Sequence, residues 1–165
     1  MQTVRQDLQS YFSPLESGST TVSEWVSLSQ LEVDLYGGLI GDLDPMHNDP
    51  DWAPGIEKWG GTIVIGSHLV SMLPAFLRLH GFPVHVPGVR FDVRSLARVR
   101  FIAPLRIDQR VRDRLQIMEA AEVAPKTWRL RTQHTLERES FENREEVLDK
   151  PFMFAELITE YCEVA

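Results

Sequence analysis

The chain has 165 residues, a formal net charge of −7, 43% hydrophobic and 25% charged residues, and one cysteine. This composition suits one folded domain over 1–165 and excludes a disordered chain, while the acidic balance argues against a nucleic-acid partner, which needs a positive surface. Cys162 alone makes neither an intrachain disulfide nor a multi-thiolate metal site, no apolar run reaches the roughly 18 residues of a membrane span, and residues 1–10 lack a secretory apolar core, so a cytoplasmic protein is expected.

Residues 1–20 are polar and read as a short helix plus a surface loop. Trp25, Val26 and Leu28 mark a short strand. Ser29 is placed to cap a helix to about Leu39, with Leu31, Leu35 and Leu39 forming one apolar stripe. Gly37 and Gly38 weaken its last turn by roughly 1 kcal/mol each relative to alanine, and Gly41-Asp42 is a natural stop. Residues 41–61 are rich in Asp, Pro and Gly, with one helical piece near Asp51 to Ala53; a loop this long in a small domain points to function. A second helix is predicted from about Gly66 to His80, apolar on nearly every side and so buried, with a bend at Pro74.

The second half reads as strands near 84–95, 97–103, 110–120, 127–137 and 152–163, with a charged exposed segment over 137–150. A helical front half followed by antiparallel strands and one buried helix fits an α+β fold, a sheet wrapped around a central helix, which is the hotdog arrangement.

The stretch Gly41-Asp42-Leu43-Asp44-Pro45-Met46-His47-Asn48-Asp49 carries chemistry-bearing residues. A carboxylate and an imidazole on a proline-stiffened turn can converge on one water and move one proton on and one off. The competing structural reading makes Asp42 a turn cap and His47 a satisfied loop histidine. Gly66 opens the buried helix, where backbone N–H groups lack intrahelical partners. Its N–H can hold a thioester carbonyl oxygen as that oxygen becomes negative, or the glycine can be small so that helix and sheet pack.

The order Gly41-Asp42-x-Asp44-Pro45-x-His47-x-Asp49, then Ala53, Trp59-Gly60, Ile63 and Gly66, resembles the signature of the MaoC-like (R)-specific enoyl-CoA hydratases. That signature runs G-D-x-N-P-x-H-x-D, then A, F-G, I and H-G. Ser23-Glu24-Trp25, Gln30, Val99-Arg100-Phe101 with Pro104, and Lys150-Pro151 with Ala155-Glu156 are similar to the nodulation protein N-like branch of that family. The resemblance implies a hotdog homodimer, or a higher assembly, that hydrates trans-2-enoyl thioesters to (R)-3-hydroxyacyl thioesters or runs the reverse dehydration. It implies an acyl-CoA or acyl-carrier-protein substrate, no cofactor, Asp42 and His47 as the catalytic pair, and Gly66 as the oxyanion glycine. Two residues depart from the pattern: Asp44 replaces an amide, and Ile65 replaces a histidine.

Asp44, Ile65, Ser67, Ser71 and Trp59 are the expected substrate-binding positions. Trp52 and Trp59 either wall an acyl pocket or anchor the loop. Eight arginines between Arg90 and Arg114 suit either solvated strand faces or the phosphates of the acyl carrier. His80 and His85 read as a helix end and a turn, and His134 as a surface residue. The acidic residues 42–51 lack the glycine and glutamate of a calcium-binding EF-hand, and no metal site is expected. Two other functions share these features: a hotdog thioesterase, and a non-catalytic acyl-binding subunit favoured by Asp44 and Ile65.

Overall fold

Alternation of inward apolar with outward polar residues builds one antiparallel sheet from the second half of the chain. The computed structural model describes residues 7–55, 59–144 and 146–164. Strands β2 (Val89–Phe101), β3 (Val111–Ala124), β4 (Thr127–Arg138) and β5 (Met153–Glu163) are joined by the short β1 (Thr20–Val22) in the order β1-β3-β4-β5-β2. On β5, Met153, Ala155, Leu157 and Tyr161 are buried, and on β4 so are Leu130 and Leu136. They meet Leu69, Leu73, Phe76 and Leu77 of the central helices α4 (Gly66–Ser71) and α5 (Leu73–Leu79) in one core. Each such leucine contributes roughly 2 kcal/mol through the apolar surface it removes from water. The sheet wrapped around these helices is the hotdog arrangement.

The structure corrects several expectations. Residues 84–95 and 97–103 are not two strands: β2 runs unbroken through Ser95 and Leu96. It absorbs its irregularity in register shifts at Val93/Ser95 and Ala97/Arg100, with Arg98 at φ 51°. The predicted strand at 25–28 reduces to one bridge, Val26 with Val111, and the paired segment lies earlier, at β1. The helix over 66–80 is interrupted at Met72, so that Pro74 falls in the first turn of α5, where its missing N–H costs nothing. The N-terminal α1 (Leu8–Phe12) is anchored in the core rather than lying on the surface, because Leu8 and Phe12 are buried and Phe12 stacks on Trp128 at 5.5 Å.

His80 closes the end of α5, as its sequence position suggested, but His134, expected on the surface, is buried. Period-two alternation points Asp113 of β3 and Thr132 and His134 of β4 into the core, and all three are fully buried. His134 Nδ1 donates to Asp113 Oδ2 at 2.7 Å, and His80, at the end of α5, donates to the same oxygen through Nε2 at 3.2 Å. Thr21 of β1 meets the other nitrogen of His80 at 2.8 Å, and Thr132 meets that of His134 at 2.9 Å. The cluster ties the edge strand, the sheet and the end of the central helix together.

Burial opposes charge on Asp113, but the His134 and His80 imidazoles outweigh it and hold the carboxyl below its ordinary value. A lowered folded value means the carboxylate's contribution is complete above the unfolded value of about 3.9 and is lost as pH falls through the folded one. Asp113→Ala leaves one ring nitrogen of each of two buried imidazoles without its carboxylate and is expected to cost about 3 kcal/mol at pH 7. The gap from the wild type should shrink below about pH 4, which urea denaturation of both proteins at neutral and acid pH measures.

Candidate active site

The site is built at the junction of the overhanging segment and the start of the central helix. Helix α2 (Gln30–Ile40) begins with a capping box in which Ser29 and Glu32 satisfy each other's backbone N–H groups, and it ends at Gly41 in the left-handed conformation, φ 77°. That turn brings the Asp42 N–H back to the Gly37 carbonyl at 3.0 Å. At Gly37 the backbones nearly touch. A methyl group there would lie 2.6 Å from the Asp42 carbonyl oxygen, 3.2 Å from Ile65 Cδ1 and 3.3 Å from Asn48 Oδ1. Asp42, Asn48 and Ile65 therefore converge on one glycine. The Asp42 side chain is half-buried.

A single helical turn, α3 (Pro45–Asn48), carries His47. Asp44 caps it by accepting from the Met46 N–H at 3.0 Å, and Pro45 starts it with a pre-set φ. His47 is buried, and its Nδ1 donates to the Ile63 carbonyl at 2.8 Å. A carbonyl only accepts, so Nδ1 carries the proton and every proton His47 gives or takes passes through Nε2.

Gly66 is the first residue of α4, so its N–H has no intrahelical acceptor. Its Cα is covered by Phe101: a methyl group would lie 2.7 Å from the ring. The packing role and an N–H without an intrahelical acceptor are compatible, because the first concerns Cα and the second the backbone nitrogen. Beyond Gly66, an open apolar cleft of about 190 Å³ lies between Val70, Leu73 and Pro74 on the central helices and Val93, Leu96 and Leu157 on the sheet.

A profile of the MaoC like domain matches residues 15–138. The chain belongs to the MaoC-like domain family. Over 91 residues it is 36% identical to 3-hydroxyacyl-thioester dehydratase Z of Mycobacterium tuberculosis, covering 54% of this chain and 58% of that protein. Over 100 residues it is 32% identical to nodulation protein N of Rhizobium leguminosarum bv. viciae, covering 59% and 60%. The match thus spans about three fifths of the length of these curated relatives. The (R)-hydratase from A. caviae involved in PHA biosynthesis superposes with a TM-score of 0.61 at 19% identity, over 88% of this chain and 96% of that one, a likeness of fold.

In this MaoC-like chain the remaining candidates fall as follows. Ile65 is buried beneath α2 and makes no side-chain cap to α4. Ser67 and Ser71 are exposed, and the Ser71 hydroxyl donates to the His68 carbonyl at 2.6 Å. Trp59 is half-buried beside residues 56–58, which lie outside the described residues. His68 stacks on Tyr36 at 4.4 Å; burial pushes its imidazole below the ordinary value, and the Glu32 carboxylate pulls weakly the other way. Among the described residues seven of the eight arginines pair with a carboxylate, and Arg100, next to Phe101, has none within 4 Å. No helix of the described residues is long and apolar enough to cross a membrane.

Sequence reasoning missed Gly37 and Asn48 as parts of the site. The signal for Gly37 was present, since a glycine inside a helical pattern often marks close backbone approach. Gly38 is different: nothing lies within 4 Å of a methyl group added there. Gly38→Ala should therefore stabilise the protein by up to about 1 kcal/mol through helix propensity alone. Gly37→Ala drives a methyl group into a backbone carbonyl and should cost about 2 kcal/mol. Thermal melts of the two variants separate these neighbours by opposite signs.

Proposed function

We propose that this chain hydrates trans-2-enoyl thioesters to (R)-3-hydroxyacyl thioesters, or catalyses the reverse dehydration, with Asp42 and His47 acting on one water. The observation that carries this reading is the fixed imidazole. With Nδ1 committed to the Ile63 carbonyl, Nε2 is the ring nitrogen left to meet a substrate water, on a turn whose neighbouring residue meets the Asp42 backbone.

The thioester carbonyl accepts from the Gly66 N–H. One of the pair removes a proton from water as its oxygen bonds to C3 and the π electrons move toward the carbonyl oxygen. The backbone N–H stabilises that developing charge. The other residue delivers a proton to C2 on the same face, and the carbonyl re-forms. Asp44 and Ile65 shape the ground beneath this pair, and Ser67, Ser71 and Trp59 stand where the acyl thioester enters. The acyl chain takes the cleft lined by Leu73, Pro74 and Leu96, whose lining is apolar apart from Ser71 and so suits hydrocarbon. Arg100 is free to meet a phosphate of the carrier, whether coenzyme A or the arm of an acyl carrier protein.

The molecule acts as a homodimer in this reading. β2 is an edge strand of the sheet, with Val93, Leu96 and Phe101 between 41% and 54% exposed along it, and a second copy supplies the cover such an edge needs.

Crotonyl-CoA tests the chemistry. Loss of enone absorbance without release of free thiol is expected, with (R)-3-hydroxybutyryl-CoA as the product. Asp42→Asn and His47→Gln should each lower kcat by about 10²- to 10⁴-fold while leaving the fold intact by circular dichroism. Free thiol appearing at the rate of substrate loss would instead identify a thioesterase, and full turnover by Asp42→Asn would remove Asp42 from the mechanism.

A further inference from the structure

His47 sits on a four-residue helix, too short to hold its own orientation, because a single turn fixes many dihedrals for one or two hydrogen bonds. Its direction has to be imposed from outside. One support is the strand-like strap at Thr62 to Val64: the Ile63 N–H donates to the Met46 carbonyl at 3.0 Å, and the Ile63 carbonyl takes the His47 Nδ1 proton. The strap is itself pinned to the sheet side of the molecule, since the Val64 N–H donates to the Leu105 carbonyl at 2.8 Å and the Ile107 N–H donates to the Thr62 carbonyl at 3.2 Å.

The second support comes from the first residue of α2. Gln30 Nε2 donates to the His47 carbonyl at 2.7 Å and to Asp34 Oδ1 at 2.7 Å, and Gln30 Oε1 accepts from the Thr62 hydroxyl at 2.7 Å. The amide cannot be turned over. A carbonyl and an ionised carboxylate only accept, so the two-proton nitrogen must face them, and the oxygen must face the hydroxyl. A glutamate has no proton for the His47 carbonyl, and an apolar side chain of the same length satisfies none of the three partners.

We infer that Gln30 and Thr62 form a positioning clamp for His47, linking α2, α3 and the strap so that the imidazole is held from its backbone and its ring at once. Neither residue touches the reacting atoms; both act through His47. The inference rests on the hydratase reading for its effect on rate, and on geometry alone for its effect on the imidazole.

The test compares Gln30→Met, Gln30→Glu, Thr62→Val and Thr62→Ser with the wild type. With crotonyl-CoA, Gln30→Met and Thr62→Val should lower kcat at least about tenfold, with KM within about twofold. Thr62→Ser, which keeps the hydroxyl, should retain most of the rate. In Gln30→Glu the added carboxylate near His47 should move the His47 limb of the kcat–pH profile upward, a shift that Gln30→Met should not show. Proton NMR supplies a readout independent of turnover. The His47 Nδ1 proton, bonded to the Ile63 carbonyl in a buried setting, should exchange slowly in the wild type and faster in Gln30→Met and Thr62→Val. Wild-type kcat, pH profile and exchange rate in all four variants would overturn the clamp. If the wild type turns over no enoyl thioester, the hydratase reading fails and the exchange rates alone decide whether the clamp exists. A variant that does not fold is replaced in the comparison by the milder Thr62→Val, which differs from the wild type by one methyl group in place of one hydroxyl.

Discussion

At residue 37 the backbone of α2 passes so close to the Asp42 carbonyl that no side chain can stand between them. That contact sets where the overhanging segment turns. It follows from two glycines with different duties: Gly37 permits the approach, and Gly41, with φ 77°, reverses the chain so that the Asp42 N–H returns to the Gly37 carbonyl. Once Asp42 is placed, the one-turn α3 has a single way to continue, because its first turn is preset by Pro45 and its far end is held to Ile63. The two glycines thus set the position of Asp42 and, through it, of the turn that carries His47. A helix that would be better formed with alanine accepts the cost because the site is assembled on its last turn.

The rest of the molecule shows a second use of polarity in apolar positions. Asp113 and His134 occupy inward places on β3 and β4 where the pattern calls for leucine, and they are tolerated because their donors and acceptors answer one another. The outer faces follow the opposite logic. Glu156 and Glu160 each take two arginines across β5; the carboxylates are largely covered while the guanidinium groups reach solvent, so the pairs fasten β5 to β2 and β4 at the surface. The interior cluster joins β1, β3, β4 and the end of α5, and the surface lattice joins neighbouring strands, so removing a partner has unequal consequences in the two places.

Much of this was legible in the residues. Ser29 announced the start of α2, period-two alternation located β3, β4 and β5 within a few residues, and the Asp-Pro-x-His run marked the segment that carries the candidate chemistry. What could not be read were contacts between parts of the chain far apart. Leu31, Leu35 and Leu39 make a regular stripe, yet they are 66%, 66% and 83% exposed, and α2 buries Val33 and Gly37 instead. Periodicity identifies a helix; the choice of face belongs to whatever the helix meets. His134 looked like a surface residue because its neighbours in sequence are charged, but those neighbours point the other way, and its partners lie 21 and 2 residues distant. Gln30 gave no local sign of its role because its three partners come from positions 34, 47 and 62.

The two departures from the family signature acquire physical meaning from the same geometry. Asp44, where the pattern has an amide, caps α3, and aspartate and asparagine serve that position equally well; a carboxylate there also faces the positive end of the turn. The substitution preserves the cap that orients His47. Ile65, where the pattern has a histidine, exchanges a polar group for apolar packing: its Cδ1 lies against Gly37, at the point where α2 is seated on the start of α4. In this chain the close approach of α2 to Asp42 is therefore supported from below by a buried hydrocarbon contact. Where the pattern has an imidazole, position 65 thus supplies an apolar contact at Gly37, while the backbone N–H of Gly66 belongs to the helix start and not to any side chain.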